Sequence, residues 1–132
     1  MRLRCARFVD RSPGLLLVGS ASHNSPETDA FVADYAAPRF TALGSSLKLL
    51  LVAEGAAHVY PRLAPTCEWD TAAAHAVVVE AGGVVLAAGE CDGKGALLAG
   101  VDWRAALALQ QPLRYNKPHP LNPFFVVYGA RE

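Results

Sequence analysis

Short apolar runs alternate along this chain with segments that open on a capping residue and close on a glycine, and that alternation leaves few folds available. Leu15-Leu16-Leu17-Val18-Gly19 reads as a buried strand and runs into the turn-like Ser20-Ala21-Ser22-His23-Asn24-Ser25. Ser25-Pro26-Glu27 then supplies an N-cap, a proline at the first helical position and an acidic first turn, with Phe31, Val32 and Tyr35 as an apolar face up to Pro38. Gly44-Ser45-Ser46 caps a second, mostly buried helix from Leu47 to Glu54, which Gly55 stops. Val59-Tyr60-Pro61-Arg62-Leu63 has strand residues, but Pro61 cannot donate to a ladder, which puts it at a sheet edge or a strand end. Asp70 can cap a helix through Ala72, Ala73, Ala76, Val77 and Glu80, which Gly82-Gly83 ends before Val84-Val85-Leu86 resumes as a strand. Asp102-Trp103 opens a short helix to Ala108, and Leu113 to Tyr115 and Phe124 to Tyr128 read as closing strands.

The expected fold is therefore α/β, a layered mixed β-sheet with flanking helices. The chain has 132 residues, of which 52% are hydrophobic and 18% charged, enough for one domain with a buried aliphatic core. Twelve Lys+Arg balance twelve Asp+Glu, so no long-range field is expected for nucleic acid or an anionic membrane, and any anion site has to be local. Cys5, Cys67 and Cys91 lack zinc or disulfide spacing and read as reduced thiols. Glu54 and Glu90 cut the apolar runs too short to span a bilayer, and Asp10, Arg11 and Pro13 interrupt the faint signal-peptide character of the start. The expected location is the cytoplasm. The Gly-rich stretch from Gly89 to Gly100 reads as an exposed loop.

Six side chains could do chemistry. Lys48 is the one charge between Gly44 and Glu54, on a helix apolar nearly all round, and it either snorkels to water or pairs with an anion. Ser45 and Ser46 are helix caps or hydroxyl donors at a phosphate seat. Arg62 is a surface arginine or a planar fork for phosphate. His23, on the loop after the first strand, donates to a phosphate or bonds locally. Asp70 is an N-cap or a ligand for a hard cation such as Mg²⁺, which one aspartate cannot hold without companions. His58, His75 and His119 have no usable partner spacing and read as structural or surface residues.

Trp69 to Gly83 spells WDxAAxxxxxxxAGG and resembles the second signature of the inositol-monophosphatase-like superfamily. Gly44-Ser45-Ser46-Leu47-Lys48, Tyr60-Pro61-Arg62, Pro65-Thr66, Ser22-His23, Pro112 to Lys117 and Leu121-Asn122-Pro123 are similar to its CysQ branch, the bacterial 3'(2'),5'-bisphosphate nucleotidases. The resemblance runs from Ser20 to Gly129. It implies the C-terminal half of the sugar-phosphatase fold, in one domain over residues 1–132 truncated at its N-terminus. It also implies Mg²⁺-dependent hydrolysis of adenosine 3',5'-bisphosphate to AMP and phosphate in sulfur assimilation. By the same resemblance Asp70 is a metal ligand, while His23, Ser45, Ser46, Lys48 and Arg62 contact the nucleotide and its phosphates. An inositol monophosphatase and a non-catalytic phosphate-binding remnant are the alternatives.

Three departures accompany the resemblance. The family's DPxDGT signature and its upstream metal-binding glutamate do not occur in the sequence, so no catalytic residue is assigned within it. Ala21 stands where the branch carries arginine, and Gly95 to Gln111 looks like an insertion. A piece of such a fold is expected to expose apolar surface and to self-associate or meet a complementary N-terminal half.

Overall fold

A computed structural model of the chain describes residues 3–20, 25–43, 48–63, 66–90, 98–115 and 121–132. In chain order the elements are β1 (Arg7–Phe8), β2 (Leu16–Ser20), α1 (Pro26–Ala33), β3 (Arg39–Leu43), α2 (Lys48–Ala53), β4 (Val59–Arg62) and β5 (Thr66–Cys67). They continue with α3 (Glu68–Glu80), β6 (Val84–Ala87), α4 (Trp103–Ala108), β7 (Leu121–Asn122), β8 (Phe125–Tyr128) and β9 (Ala130–Arg131). The caps work as their residue types demand: Ser25 accepts from the Thr28 N–H ahead of Pro26, and Asp102 accepts from the Arg104 N–H. Gly55 takes a φ of +83° just past α2.

The main sheet has the order β3-β2-β4-β8-β6, with β2 parallel to β3 and β4 and with β8 antiparallel to β4 and β6. Side chains alternate along each strand, so the sheet has two apolar faces. Leu17, Val59, Leu86, Val126 and Tyr128 share one core with Phe31 of α1 and with Trp103 and Leu107 of α4. Val18, Tyr60, Val85, Phe125 and Val127 share the other with Leu49, Val52 and Ala53 of α2 and Val78 of α3. The result is a mixed sheet between two helical layers, the α/β architecture read from the sequence.

Five expectations need correction. Arg39–Leu43 is an edge strand, β3, that the sequence reading left out; its exposed Phe40 and its lack of an apolar run hide it. α1 stops at Ala33, and Tyr35 packs from the turn beyond it, with its ring 5.4 Å from that of Phe31. β4 is the central strand and Pro61 lies within it, opposite Val126 of β8; it fits there because pairing with β2 is confined to Val59, so its missing N–H costs no bond to β2. α3 begins at Glu68, which puts Asp70 inside the first turn rather than at the cap. Pro112 forms a single bridge to Leu86, and no strand runs over Leu113 to Tyr115. Of the loop read from Gly89 to Gly100, residues 91–97 lie outside the described residues.

Cys5 is buried, and burial raises its thiol pKa; Cys91 and the Cys67 side chain lie outside the description. Among the described residues no helix is long and apolar enough to cross a membrane. Large apolar side chains do reach the surface, among them Phe40 on β3 and Val79 on the outer face of α3.

His58 ties the sheet together and gives its stability a pH dependence. Its Nδ1 accepts the Leu16 N–H at 2.9 Å, so the ring is neutral at that atom, and Phe8 meets it edge-on at 5.3 Å. Burial, with a contribution from the Arg39 charge, lowers its pKa from 6.5. Below 6.5 the unfolded chain therefore takes up a proton that the folded chain resists, and stability falls with pH until the folded pKa is passed. His58→Asn, whose amide oxygen can accept the same N–H, is expected to flatten this acid-side loss in urea titrations between pH ~7 and ~5. Some loss persists, because burial also depresses His75.

Candidate functional site

β2, β3 and β4 run parallel, so Ser20, Leu43 and Arg62 end at one edge of the sheet, where Phe125 opens β8 opposite Arg62. From those ends the chain goes on by way of residues 21–24 to α1, residues 44–47 to α2, and residues 64–65 and β5 to α3. In open α/β sheets the crevice outside the carboxyl ends of the strands is the natural place for a ligand. His23, Ser45 and Ser46 fall in these connections and lie outside the described residues.

Lys48, Tyr60 and Arg62 come together here. Tyr60 and Arg62 are two apart on β4 and face the α2–α3 layer, and Lys48 opens α2 above them. Lys48 is 7% exposed, with its Nζ 5.6 Å from the Tyr60 ring centroid. Burial pulls its ammonium pKa below the usual lysine range, and the Arg62 charge adds to that. Arg62 is half-buried, its Nε is buried, and its guanidinium hydrogen-bonds to the Tyr60 side chain. Burial raises the Tyr60 phenol pKa, which the arginine partly offsets. Two cations so placed make a local positive site in a poorly solvated setting, where the charge of an added anion would be felt strongly. Most of the Lys48 side chain is covered.

Asp70 is exposed in the first turn of α3, and α3 packs against α2, whose first residue is Lys48. A buried polar network holds that turn in place. The Asn122 side-chain amide donates to Thr66 Oγ1 and to Thr71 Oγ1, both at 3.0 Å, and the Tyr115 hydroxyl donates to Thr71 Oγ1 at 3.2 Å. Thr71 Oγ1 in turn donates to the Glu68 carbonyl at 3.3 Å, and His75 Nδ1 lies 2.7 Å from the Tyr115 hydroxyl. With the proton on His75 Nδ1, one direction of donation satisfies every link: His75 to Tyr115, Tyr115 to Thr71, Thr71 to Glu68. Asn122 and Thr71 are 0% and 2% exposed, so loss of a partner would leave a buried polar atom unsatisfied. The sequence reading gave His75 a structural or surface role and gave Thr71, Tyr115 and Asn122 none. Their one signal was position, since all four lie in the stretches that carry the family resemblance.

The fit of a divalent cation follows from the donor set. Among the described residues no group of three or more His, Cys, Asp or Glu side chains could hold a metal ion. Asp70, with Glu68 the other acid in the first turn of α3, does not compose a Mg²⁺ site among the described residues, and the chemistry these residues offer at this edge is that of anion binding beside carboxylates.

Comparison with known proteins identifies the family and the fold. The profile of the Inositol monophosphatase family matches residues 10–120. A 3'(2'),5'-bisphosphate nucleotidase CysQ from Salmonella typhimurium is 47% identical over 73 residues, which is 55% of this chain and 29% of the relative. The crystal structure of CysQ from Bacteroides thetaiotaomicron, a bacterial member of the inositol monophosphatase family, superposes with a TM-score of 0.67 at 41% identity, covering 95% of this chain and 41% of that one. An inositol monophosphatase from Anabaena matches in fold, with a TM-score of 0.59 at 20% identity, covering 97% of this chain and 44% of that one. The chain thus spans well under half the length of these relatives.

Proposed function

The chain belongs to the inositol monophosphatase family, and from that premise we propose that it serves as the substrate-binding part of a 3'(2'),5'-bisphosphate nucleotidase acting on adenosine 3',5'-bisphosphate. The observation that carries this reading is the pair of cations, buried Lys48 and half-buried Arg62, both in contact with Tyr60 at the carboxyl edge of the sheet. A nucleotide with two phosphates offers an anion to each cation, whereas an inositol carrying one phosphate has less use for both. The likeness to CysQ proteins supports the same choice.

In this reading Lys48 and Arg62 bind and orient the phosphates. His23, Ser45 and Ser46 complete the seat from the connections after β2 and β3. Asp70 offers one carboxylate toward the Mg²⁺ that the family uses, held in register by the Thr71–Tyr115–Asn122 network. Among the described residues Asp70 has no companions that would complete a metal site. Hydrolysis adds water across the ester: the P–O bond to the 3' oxygen breaks, that oxygen takes a proton, and AMP and phosphate leave. The remaining carboxylates come from outside these 132 residues, from a complementary N-terminal half or a second copy, and the reaction belongs to the cytoplasm.

Calorimetry on the 132-residue chain tests this. Adenosine 3',5'-bisphosphate is expected to bind at least tenfold more tightly than 5'-AMP or inositol 1-phosphate, and Arg62→Ala is expected to erase the preference. Equal affinity for inositol 1-phosphate would transfer the assignment to an inositol monophosphatase; no binding of any of them would overturn it. Phosphate release with added Mg²⁺ separates binding from turnover. The expected result is binding without turnover by the chain alone, and turnover abolished by Asp70→Asn would mean that its own carboxylates suffice.

A further inference from the structure

We propose that the chain carries a second anion site, at the opposite edge of the sheet from Lys48 and Arg62, for a small ligand with two oxyanion charges: a phosphate monoester or a dicarboxylate. Tyr128, at the far end of β8, pairs with Val59 where β4 begins, whereas Arg62 closes β4. Beside Tyr128 lies a cavity of about 200 Å³ whose wall includes Arg11, Arg104 and Arg131 together with Trp103 and Asp10.

The arginines come from three separate parts of the chain: the turn before β2, helix α4 and strand β9. Two of them are held over aromatic rings. The Arg131 Cζ lies 3.9 Å from the Tyr128 ring centroid and the Arg104 Cζ lies 4.4 Å from that of Trp103. Gln110 fixes Arg131 further, accepting from its Nη2 at 2.9 Å. The rings are themselves anchored, because Trp103 packs on Phe31 at 5.8 Å and Tyr128 is buried. A guanidinium positioned in this way presents its N–H fork without first losing side-chain freedom, and such forks match the oxygens of phosphates and carboxylates.

Charge points the same way. Asp10 Oδ1 is occupied by neutral donors, the Tyr35 hydroxyl at 2.8 Å and the Arg11 N–H at 3.1 Å. Asp34 meets Arg104 at 3.3 Å in an exposed pair, which is weak. The charged lining of the cavity is three guanidiniums and one carboxylate, Asp10, in a chain of formal net charge zero. The wall is also strained: Arg11 and Gln110 hold φ of 61° and 55°, two of the three described non-glycine residues with positive φ. Such conformations persist where the surroundings impose them, and ligand clamps are one such place. Trp103, Arg104 and Gln110 all belong to the insertion-like segment up to Gln111, to which the nucleotidase reading assigns nothing.

The test is a titration of ¹⁵N-labelled chain, free of divalent metal, with glycerol 3-phosphate, malonate or sodium chloride at matched ionic strength. The Trp103 indole N–H, assigned with Trp103→Phe, and the Gln110 side-chain amide report the cavity. The expected result is a saturable shift of both signals, weakened at least tenfold by Arg131→Gln and by Arg104→Gln but unchanged in Lys48→Met. Saturation by glycerol 3-phosphate alone identifies a phosphate monoester, and saturation by malonate alone a dicarboxylate. Unchanged amide signals away from the cavity certify that each variant folds, and either arginine variant suffices. Shifts that merely follow ionic strength, as with chloride, or that survive both arginine variants, overturn the proposal. So does loss of the response in Lys48→Met, which would place the binding at the other edge.

Discussion

Gly83→Ala is expected to destabilise the folded chain by about 3 kcal/mol, the upper part of the range for overpacking a filled core. A Cβ built at residue 83 would stand 2.5 Å from the Tyr128 carbonyl oxygen and 2.9 Å from both Cys5 Sγ and Val78 Cγ1. None of these can retreat cheaply. The carbonyl belongs to β8, whose Tyr128 pairs with both Val59 and Val84, Cys5 is buried, and Val78 is 0% exposed in the core beneath α3. The neighbouring Gly82 gives an internal control. Its φ is +100° with nothing within 4 Å of a built Cβ, so Gly82→Ala meets conformational strain but no collision, and its cost is about 1 kcal/mol. For a domain of this size the Gly83 effect corresponds to a fall in Tm of roughly 10 °C. Urea denaturation of both variants checks it: the two glycines should differ by about 2 kcal/mol, and equal midpoints would mean that the helix layer shifts to accommodate the methyl group.

That pair of glycines also marks where the sequence stopped being readable. A Gly-Gly after an apolar helix says that the helix ends, which is local chemistry, and Gly82 does that work. What Gly83 does depends on Tyr128 and Cys5, residues distant in the chain, and no local pattern carries it. The same division runs through the fold. Ser25-Pro26 and Asp102 were legible because a cap acts on N–H groups two or three residues away. β3 was not, because an edge strand owes its existence to β2 beside it rather than to its own residues. At the site, Lys48 was legible as a charge in an apolar run, yet whether it escaped to water depended on Tyr60 and Arg62 from another strand. The network of Thr71, His75, Tyr115 and Asn122 joins partners up to 51 positions apart, so its members looked like unrelated polar residues.

Lys48→Met is expected to move stability and ligand affinity in opposite directions. Methionine fills nearly the same space without a charge, so the variant sheds the cost of covering an ammonium that also feels Arg62. It loses the contact with the Tyr60 ring, worth about 0.5–1 kcal/mol at exposed sites, together with the ammonium's other polar partners, and with the desolvation cost removed the balance is expected to favour the variant by on the order of 1 kcal/mol near neutral pH. The gain should shrink as pH rises. The folded lysine has a pKa below its ordinary 10.5, so in alkaline solution it gives up its proton while the unfolded chain still holds one. Stability of the parent therefore climbs with pH toward 10.5, and the variant has no such rise from this position. Comparing the two chains by urea denaturation between pH ~7 and ~10 cancels the tyrosines common to both and isolates the lysine. Binding should respond the other way. A charge-assisted hydrogen bond to phosphate is worth about 1.5–3 kcal/mol, so adenosine 3',5'-bisphosphate is expected to bind roughly 10- to 100-fold more weakly to the variant. A residue kept for structure alone would show the reverse pairing, a variant that is less stable and binds as well as the parent. More stable yet poorer at binding is the signature of a cation buried at a cost to the fold because an anion is meant to meet it.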